Sequence, residues 1–298
     1  MINFEKFTLE NGLKVIVHQD KSTPIVAFNL LYDVGARDEN ENQTGFAHLF
    51  EHLMFGGSVN IANFDEPLQK VGGTNNAFTS NDITNYYITL PKDNLETAFW
   101  LDSDRMLSLA FTDKSLEVQR SVVIEEFKQN YLNQPYGDVW LLLRPLAYTT
   151  HPYKWATIGK EISHIENATM EDVKAFFHKH YLPNNAILTV AGDVESKDIK
   201  TLAEQWFGDI PSGKKTERNL QALTVRQFDP TTIGKIQSQL AQLTQRLGPQ
   251  QGARHSQKAS AIPPTSSTAP VTPSQTTAPS SESQQLNSLL RNLNTQRD

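Results

Sequence analysis

The spacing of apolar residues changes several times over the first 210 positions, and each change marks a predicted element. Phe7 and Leu9 alternate with polar neighbours, as do Leu13, Val15 and Val17, and Asn11-Gly12 stands between the two runs. An Asn-Gly pair between alternating apolar residues is a strong short-range hairpin signal. Ile25 to Tyr32 reads as a further strand and Gly35 to Thr44 as a polar loop. From Gly45 to Phe55 the period becomes helical: Phe46, Leu49, Phe50, Leu53 and Met54 form one stripe, which predicts a helix with a single well-buried face. Gly56-Gly57 ends it. Phe64 to Val71 suits a short helix, stopped by Gly72-Gly73, and Asn76 to Leu90 is rich in the Thr, Tyr, Phe and Ile that favour strands. Asn94–Ala110 and Lys114–Tyr131 predict two longer helices. Beyond the loop opened by His151-Pro152, a helix start at Ala168–Asp172 leads into Val173–Tyr181. Pro183-Asn184-Asn185 breaks that helix, Ala186–Ala191 reads as an apolar strand, and Ser196–Phe207 as a last helix. Helices and strands mix without strict βαβ alternation, so the expected class is α+β.

The pattern changes near residue 222. In 223–248, Ile233, Ile236, Leu240, Leu243 and Leu247 step by three and four on a Gln-rich segment, a short amphipathic helix of about two heptads. Residues 249–285 are dense in Pro, Ser, Thr and Gln and predict disorder. Leu286, Leu289, Leu290 and Leu293 could form a small terminal helix within the 249–298 tail. Charge follows the same division. Residues 223–298 hold seven Lys and Arg against three Asp and Glu, a net of +4; residues 1–222 hold 20 against 30, a net of −10. An acidic front domain argues against a nucleic-acid groove, which must neutralise phosphates. With no cysteine in the chain, disulfides, thiolate metal sites and a Cys nucleophile are excluded. The N-terminus lacks the basic-then-apolar pattern of a signal peptide, and no apolar run is long enough to span a bilayer. The expectation is a cytoplasmic protein without membrane attachment.

The chemistry concentrates on the predicted helix 45–55. His48 and His52 stand at i and i+4, so their Cβ atoms lie about 5–6 Å apart on one face. Both imidazoles can then reach one zinc ion at about 2.0–2.1 Å. Glu51 leans over the same face, close enough to act on water at the metal without coordinating it. The order His48-Leu49-Phe50-Glu51-His52 is the inverted form of the common zinc-peptidase motif. Two histidines and a carboxylate in the middle of an otherwise apolar helix call for a reason beyond surface polarity. A catalytic zinc commonly has three protein ligands plus water, and Glu125 or Glu126 offers the third. The two lie about 100° apart around the helix axis, so only one can face the metal, and periodicity leaves the choice open.

A longer ordered set of segments resembles the pitrilysin family of zinc metallopeptidases, which includes insulin-degrading enzyme and the mitochondrial processing peptidase. The segments are Gly35–Glu39, Gly45–Phe55, Asn76–Ser80, Arg120–Glu126, His151–Tyr153 and Tyr181–Ala186 leading to Ala191-Gly192-Asp193. They span roughly residues 1–220. The resemblance implies a mixed, largely antiparallel sheet packed on one side by helices. It implies one zinc per chain held by His48, His52 and Glu126, with Glu51 as general base. Where the family often carries a second glutamate, seven residues before the third ligand, this chain has Gln119, which implies weaker electrostatic assistance. Asn76 and Ala77 fall on the family's edge strand, implying capture of an extended peptide or unfolded polypeptide by strand addition. Family members continue after Arg218-Asn219-Leu220 into a second homologous module. This chain runs instead into the Gln-rich segment and the tail. The implied partner is therefore a homologous subunit or a second copy of the chain, and the alternative to a self-sufficient peptidase is a zinc-bearing subunit inactive by itself, or a truncated module, that needs a homologous partner.

Overall fold

A computed structural model of the chain describes residues 2–214, Arg218, Gly234 and Ser238. The amphipathic segment predicted for 223–248, apart from those two isolated positions, and the 249–298 tail lie outside the described residues. Six strands form one sheet: β1 (Glu5–Thr8), β2 (Lys14–Gln19), β3 (Ile25–Tyr32), β4 (Thr74–Thr79), β5 (Thr84–Pro91) and β6 (Ala186–Gly192). Their order is β1-β2-β6-β3-β5-β4. Only β2 and β6 run parallel, and the other four pairings are antiparallel. The class is α+β with a largely antiparallel sheet, as the sequence implies. Every second residue of the central strands is buried: Val26, Phe28, Leu30 and Tyr32 on β3, Leu188 and Val190 on β6, Val15 and Val17 on β2. That alternation is the mark of a sheet with one face against the core.

The α-helices of the described chain are α1 (Phe46–Leu53), α2 (Asp65–Lys70), α3 (Leu95–Ser108), α4 (Asp113–Phe127), α5 (Val139–Ala147), α6 (Ile162–Glu166), α7 (Met170–His180) and α8 (Ser196–Phe207). α1 packs against α4 and α7, and α3 against α8. The segment 76–90, whose composition favours strands, spans a hairpin: it holds most of β4 and most of β5 with a turn between them. The Ser80 hydroxyl accepts the backbone N–H groups of Asp82 and Ile83, each at 3.1 Å, and this Ser turn divides β4 from β5. α5 and α6 have no counterpart in the pattern analysis. α5 carries Pro145 in its last turn, and α6 is only five residues long, too short to show a period.

The centre of the packing is α1. Phe50, between the two histidines in sequence, points the other way. Its ring stacks on Phe176 at 5.2 Å and lies 5.1 Å from Tyr181, with no exposure. Phe50→Ala is expected to cost about 3–5 kcal/mol in chemical denaturation, the usual range for a buried aromatic. A loss under about 1 kcal/mol would contradict this packing.

Candidate metal centre

Two local devices fix the start of α1. Gly45 has φ +88°, and a Cβ there would lie 2.7 Å from the Ile158 carbonyl oxygen, so neither the backbone nor the space admits another residue. Gly45 has no side chain with which to cap the helix. The carboxylate of Glu39 does this from six residues upstream, accepting the N–H groups of Gly45 at 3.0 Å and Ala47 at 2.9 Å. The Trp155 indole N–H donates to the same carboxylate at 3.1 Å. Burial pushes the Glu39 pKa up to about 8 against the pull of these donors. An acid whose folded pKa exceeds its unfolded value binds more protons when folded, so its contribution favours folding at low pH and is lost as pH rises. Stability is therefore expected to fall between about pH 4.5 and about pH 8 through this group. Denaturation midpoints of the wild type and Glu39→Gln across that range check this: the Gln variant should lose that part of the slope.

His48 and His52 project from one face of α1, their ring centroids 4.9 Å apart and nearly perpendicular. Glu126 comes from α4, whose start is set by the Thr112 hydroxyl accepting the Ser115 N–H at 3.0 Å. The Oε2 of Glu126 lies 3.6 Å from His48 Nε2 and 3.4 Å from His52 Nε2. All three ligand atoms fall within 4.8 Å of one another. Two ligand atoms each about 2.0–2.1 Å from a tetrahedral zinc lie about 3.4 Å apart, so this spacing suits one zinc ion. The protonation states suit it as well. Burial lowers the His48 pKa to about 4, which keeps the imidazole neutral. A hydrogen bond from His52 lowers that of Glu126, which keeps it a carboxylate despite partial burial. The His48 ring turns its Nε2 to Glu126, and its Nδ1 is buried with no hydrogen-bond partner among the described residues.

The structure brings His48, His52 and Glu126 together and leaves Glu125 out. Glu125 is exposed and paired with Lys128 at 2.7 Å. Glu51 stands beside the group: its Oε2 accepts the Thr79 hydroxyl at 2.6 Å, and burial is the main cause of its raised pKa. Gln119 is half-buried on α4, two turns before Glu126, and makes no hydrogen bond to the group among the described residues. Asn76 and Ala77 lie on β4, which is last in the sheet order with β5 as its strand neighbour. The Asn76 side chain accepts the Ala77 N–H at 2.8 Å, so that N–H points away from β5. Sequence reasoning missed the roles of Thr79, Glu39 and Trp155. The first two fell inside noted segments, but nothing in the sequence shows which atoms they touch. No helix among the described residues is long and apolar enough to cross a membrane.

A largely antiparallel sheet carrying His-x-x-Glu-His on a buried helix, with a glutamate supplied by a second helix, has the architecture of the inverted-motif zinc metallopeptidases. The family description "Insulinase (Peptidase family M16)" matches residues 14–152, and "Peptidase M16 inactive domain" matches residues 167–262. Zinc protease PqqE of Helicobacter pylori is 37% identical over 209 residues, covering 69% of this chain and 47% of that protein. The mitochondrial-processing peptidase subunit beta of Caenorhabditis elegans is 28% identical, over 69% of this chain and 45% of that protein. The crystal structure of a protease from Helicobacter pylori superposes with a TM-score of 0.69 at 34% identity, covering 76% of this chain and 54% of that one. The chain belongs to peptidase family M16 and corresponds to its N-terminal module. It spans about half the length of the curated relatives it matches.

Proposed function

We propose that this chain is a zinc-dependent endopeptidase module that hydrolyses peptides or unfolded polypeptides. His48, His52 and Glu126 hold one zinc ion, and Glu51 is the general base. The observation that carries this reading is the convergence of three ligand atoms within 4.8 Å, with the Glu51 carboxylate on the same helix beside them. When bound, zinc lowers the pKa of water to about 7 and polarises a carbonyl. Glu51 accepts a proton from the attacking water as the new C–O bond forms. It returns that proton to the departing amine as the peptide C–N bond breaks. β4 supplies the backbone edge: among the described residues the outward N–H of Ala77 is engaged by the neighbouring Asn76 side chain, and an extended peptide can replace that contact. Recognition through main-chain groups places little demand on substrate side chains.

The test is incubation of the purified, zinc-loaded chain with a pool of unstructured peptides. Cleavage products support a self-sufficient peptidase. A second reading, a zinc-bearing subunit or truncated module that needs a homologous partner, fits the chain's coverage of 47% and 45% of the two relatives named above. One zinc bound without cleavage, and cleavage appearing when a second M16 module is added, would support that reading instead. A chain that binds no zinc would overturn both.

A further inference from the structure

We propose that Thr79 is a positioning residue that holds Glu51 in line for proton transfer and ties the base to the strand that takes the substrate backbone. This rests on the peptidase reading above. The Thr79 hydroxyl donates to Glu51 Oε2 at 2.6 Å. One oxygen of the base is thereby occupied on the strand side, and Oε1 is left to take the proton. A carboxylate without this tether would be free to rotate about its last side-chain torsion, which is broad for Glu.

Thr79 is itself held with more constraints than an edge strand needs. It is the last residue of β4 and pairs with Thr84, whose hydroxyl donates to the Val34 carbonyl at 2.9 Å. The turn that follows is clamped from three sides. Arg37 donates to Asp82 at 2.9 Å, the Tyr153 hydroxyl to Asp82 at 2.5 Å, and Arg144 to Asn81 at 2.9 Å. Gly35 lies against the same turn, where a Cβ would sit 2.6 Å from the Asn81 backbone. The backbone N–H groups of Ala36 and Arg37 donate to Ser80 and Asn81. These contacts fix the turn that follows β4. They suit a residue that must hold a base to within a fraction of an ångström. Ala77 and Thr79 are two apart on one strand, so their backbone N–H groups face the same free edge. The register of a peptide paired at Ala77 is then fixed relative to Glu51 by the strand itself.

The test uses Thr79→Val, which keeps the shape and removes the hydroxyl, and Thr79→Ser, which restores it. Three quantities are measured: zinc affinity by chelator competition, calorimetric affinity for a phosphinic peptide that mimics the tetrahedral centre, and kcat and KM on a cleavable peptide. Loss of a hydrogen bond to a charged group is expected to weaken phosphinic-peptide binding and kcat by roughly 10–100-fold. KM and zinc affinity should stay within about twofold, and Thr79→Ser should recover most of the loss. If Thr79→Val matches the wild type in phosphinic-peptide affinity, the inference is overturned. It is equally overturned if Thr79→Ser is as defective as Thr79→Val, or if zinc affinity falls in parallel, since the hydroxyl's contact with the base would then not be the cause. Where the chain alone does not turn over, phosphinic-peptide affinity decides. A wild-type chain that binds neither zinc nor that peptide overturns the peptidase reading itself, a result distinct from a defect confined to the Thr79 variants.

Discussion

Glu51→Gln should bind zinc as the wild type does and lose at least about 100-fold in peptide cleavage, since general-base catalysis contributes roughly 10²–10⁴-fold. Glu51 is not one of the three converging ligands, and its Oε2 is engaged by Thr79 rather than by a histidine. Removing its charge therefore leaves the metal's donor set intact. The amide still accepts the Thr79 hydroxyl through its oxygen, so the helix and the hairpin stay joined. What the amide cannot do is accept a proton from water. Zinc stoichiometry by elemental analysis, read beside cleavage of an unstructured peptide, separates the two effects. Near-normal turnover in Glu51→Gln would mean that another group is the base. Loss of zinc together with activity would mean that Glu51 belongs to the donor set after all. Should the wild type cleave only when a second M16 module is present, the comparison is made in that mixture and its logic is unchanged.

What could be read from the sequence is set by the range over which each feature is encoded. α1 was readable because its stripe of Phe46, Leu49, Phe50 and Leu53 and its two histidines all repeat at helical spacing within eight residues. β3 is likewise local, an alternating run whose buried residues are Val26, Phe28, Leu30 and Tyr32. The choice between Glu125 and Glu126 was open because it depends on how α4 is turned against α1. Only tertiary packing sets that rotation; in the fold it faces Glu126 towards the histidines and Glu125 towards Lys128. The Glu39 cap and the Thr79 tether were invisible for the same reason. Glu39 reaches across a six-residue loop to a helix whose own N-cap is a glycine, and Thr79 reaches Glu51 across 28 residues. No periodicity encodes contacts of this kind. The hairpin in 74–91 was missed through turn chemistry, since Ser80 serves as a turn residue while the strand-favouring composition continues on either side.

The contrast between Glu126 and Glu125 should be the largest effect on metal affinity and the most direct check of that packing. Glu126→Ala removes the carboxylate whose Oε2 lies 3.4 and 3.6 Å from the two histidine nitrogens. Two imidazoles one turn apart then remain as the donor set, which is too few for a protein zinc site that ordinarily has three or four ligands. Disturbing a partner that merely supports a ligand costs about 10–100-fold in affinity, so removing a ligand should cost more than about 100-fold. Glu125→Ala removes only an exposed pair with Lys128, and surface ion pairs contribute about 0–1 kcal/mol. Its zinc affinity should match the wild type. Chelator competition on the three proteins reads the comparison directly. Denaturation of the metal-free chains shows whether either change acts through folding instead. A loss of affinity in Glu125→Ala with Glu126→Ala unaffected would mean that α4 is rotated by about 100° from its place in this fold. The assignment of the third ligand, and with it the geometry on which the role of Glu51 rests, would then have to be exchanged. Equal losses in both variants would point to the charge of the helix, not to a ligand.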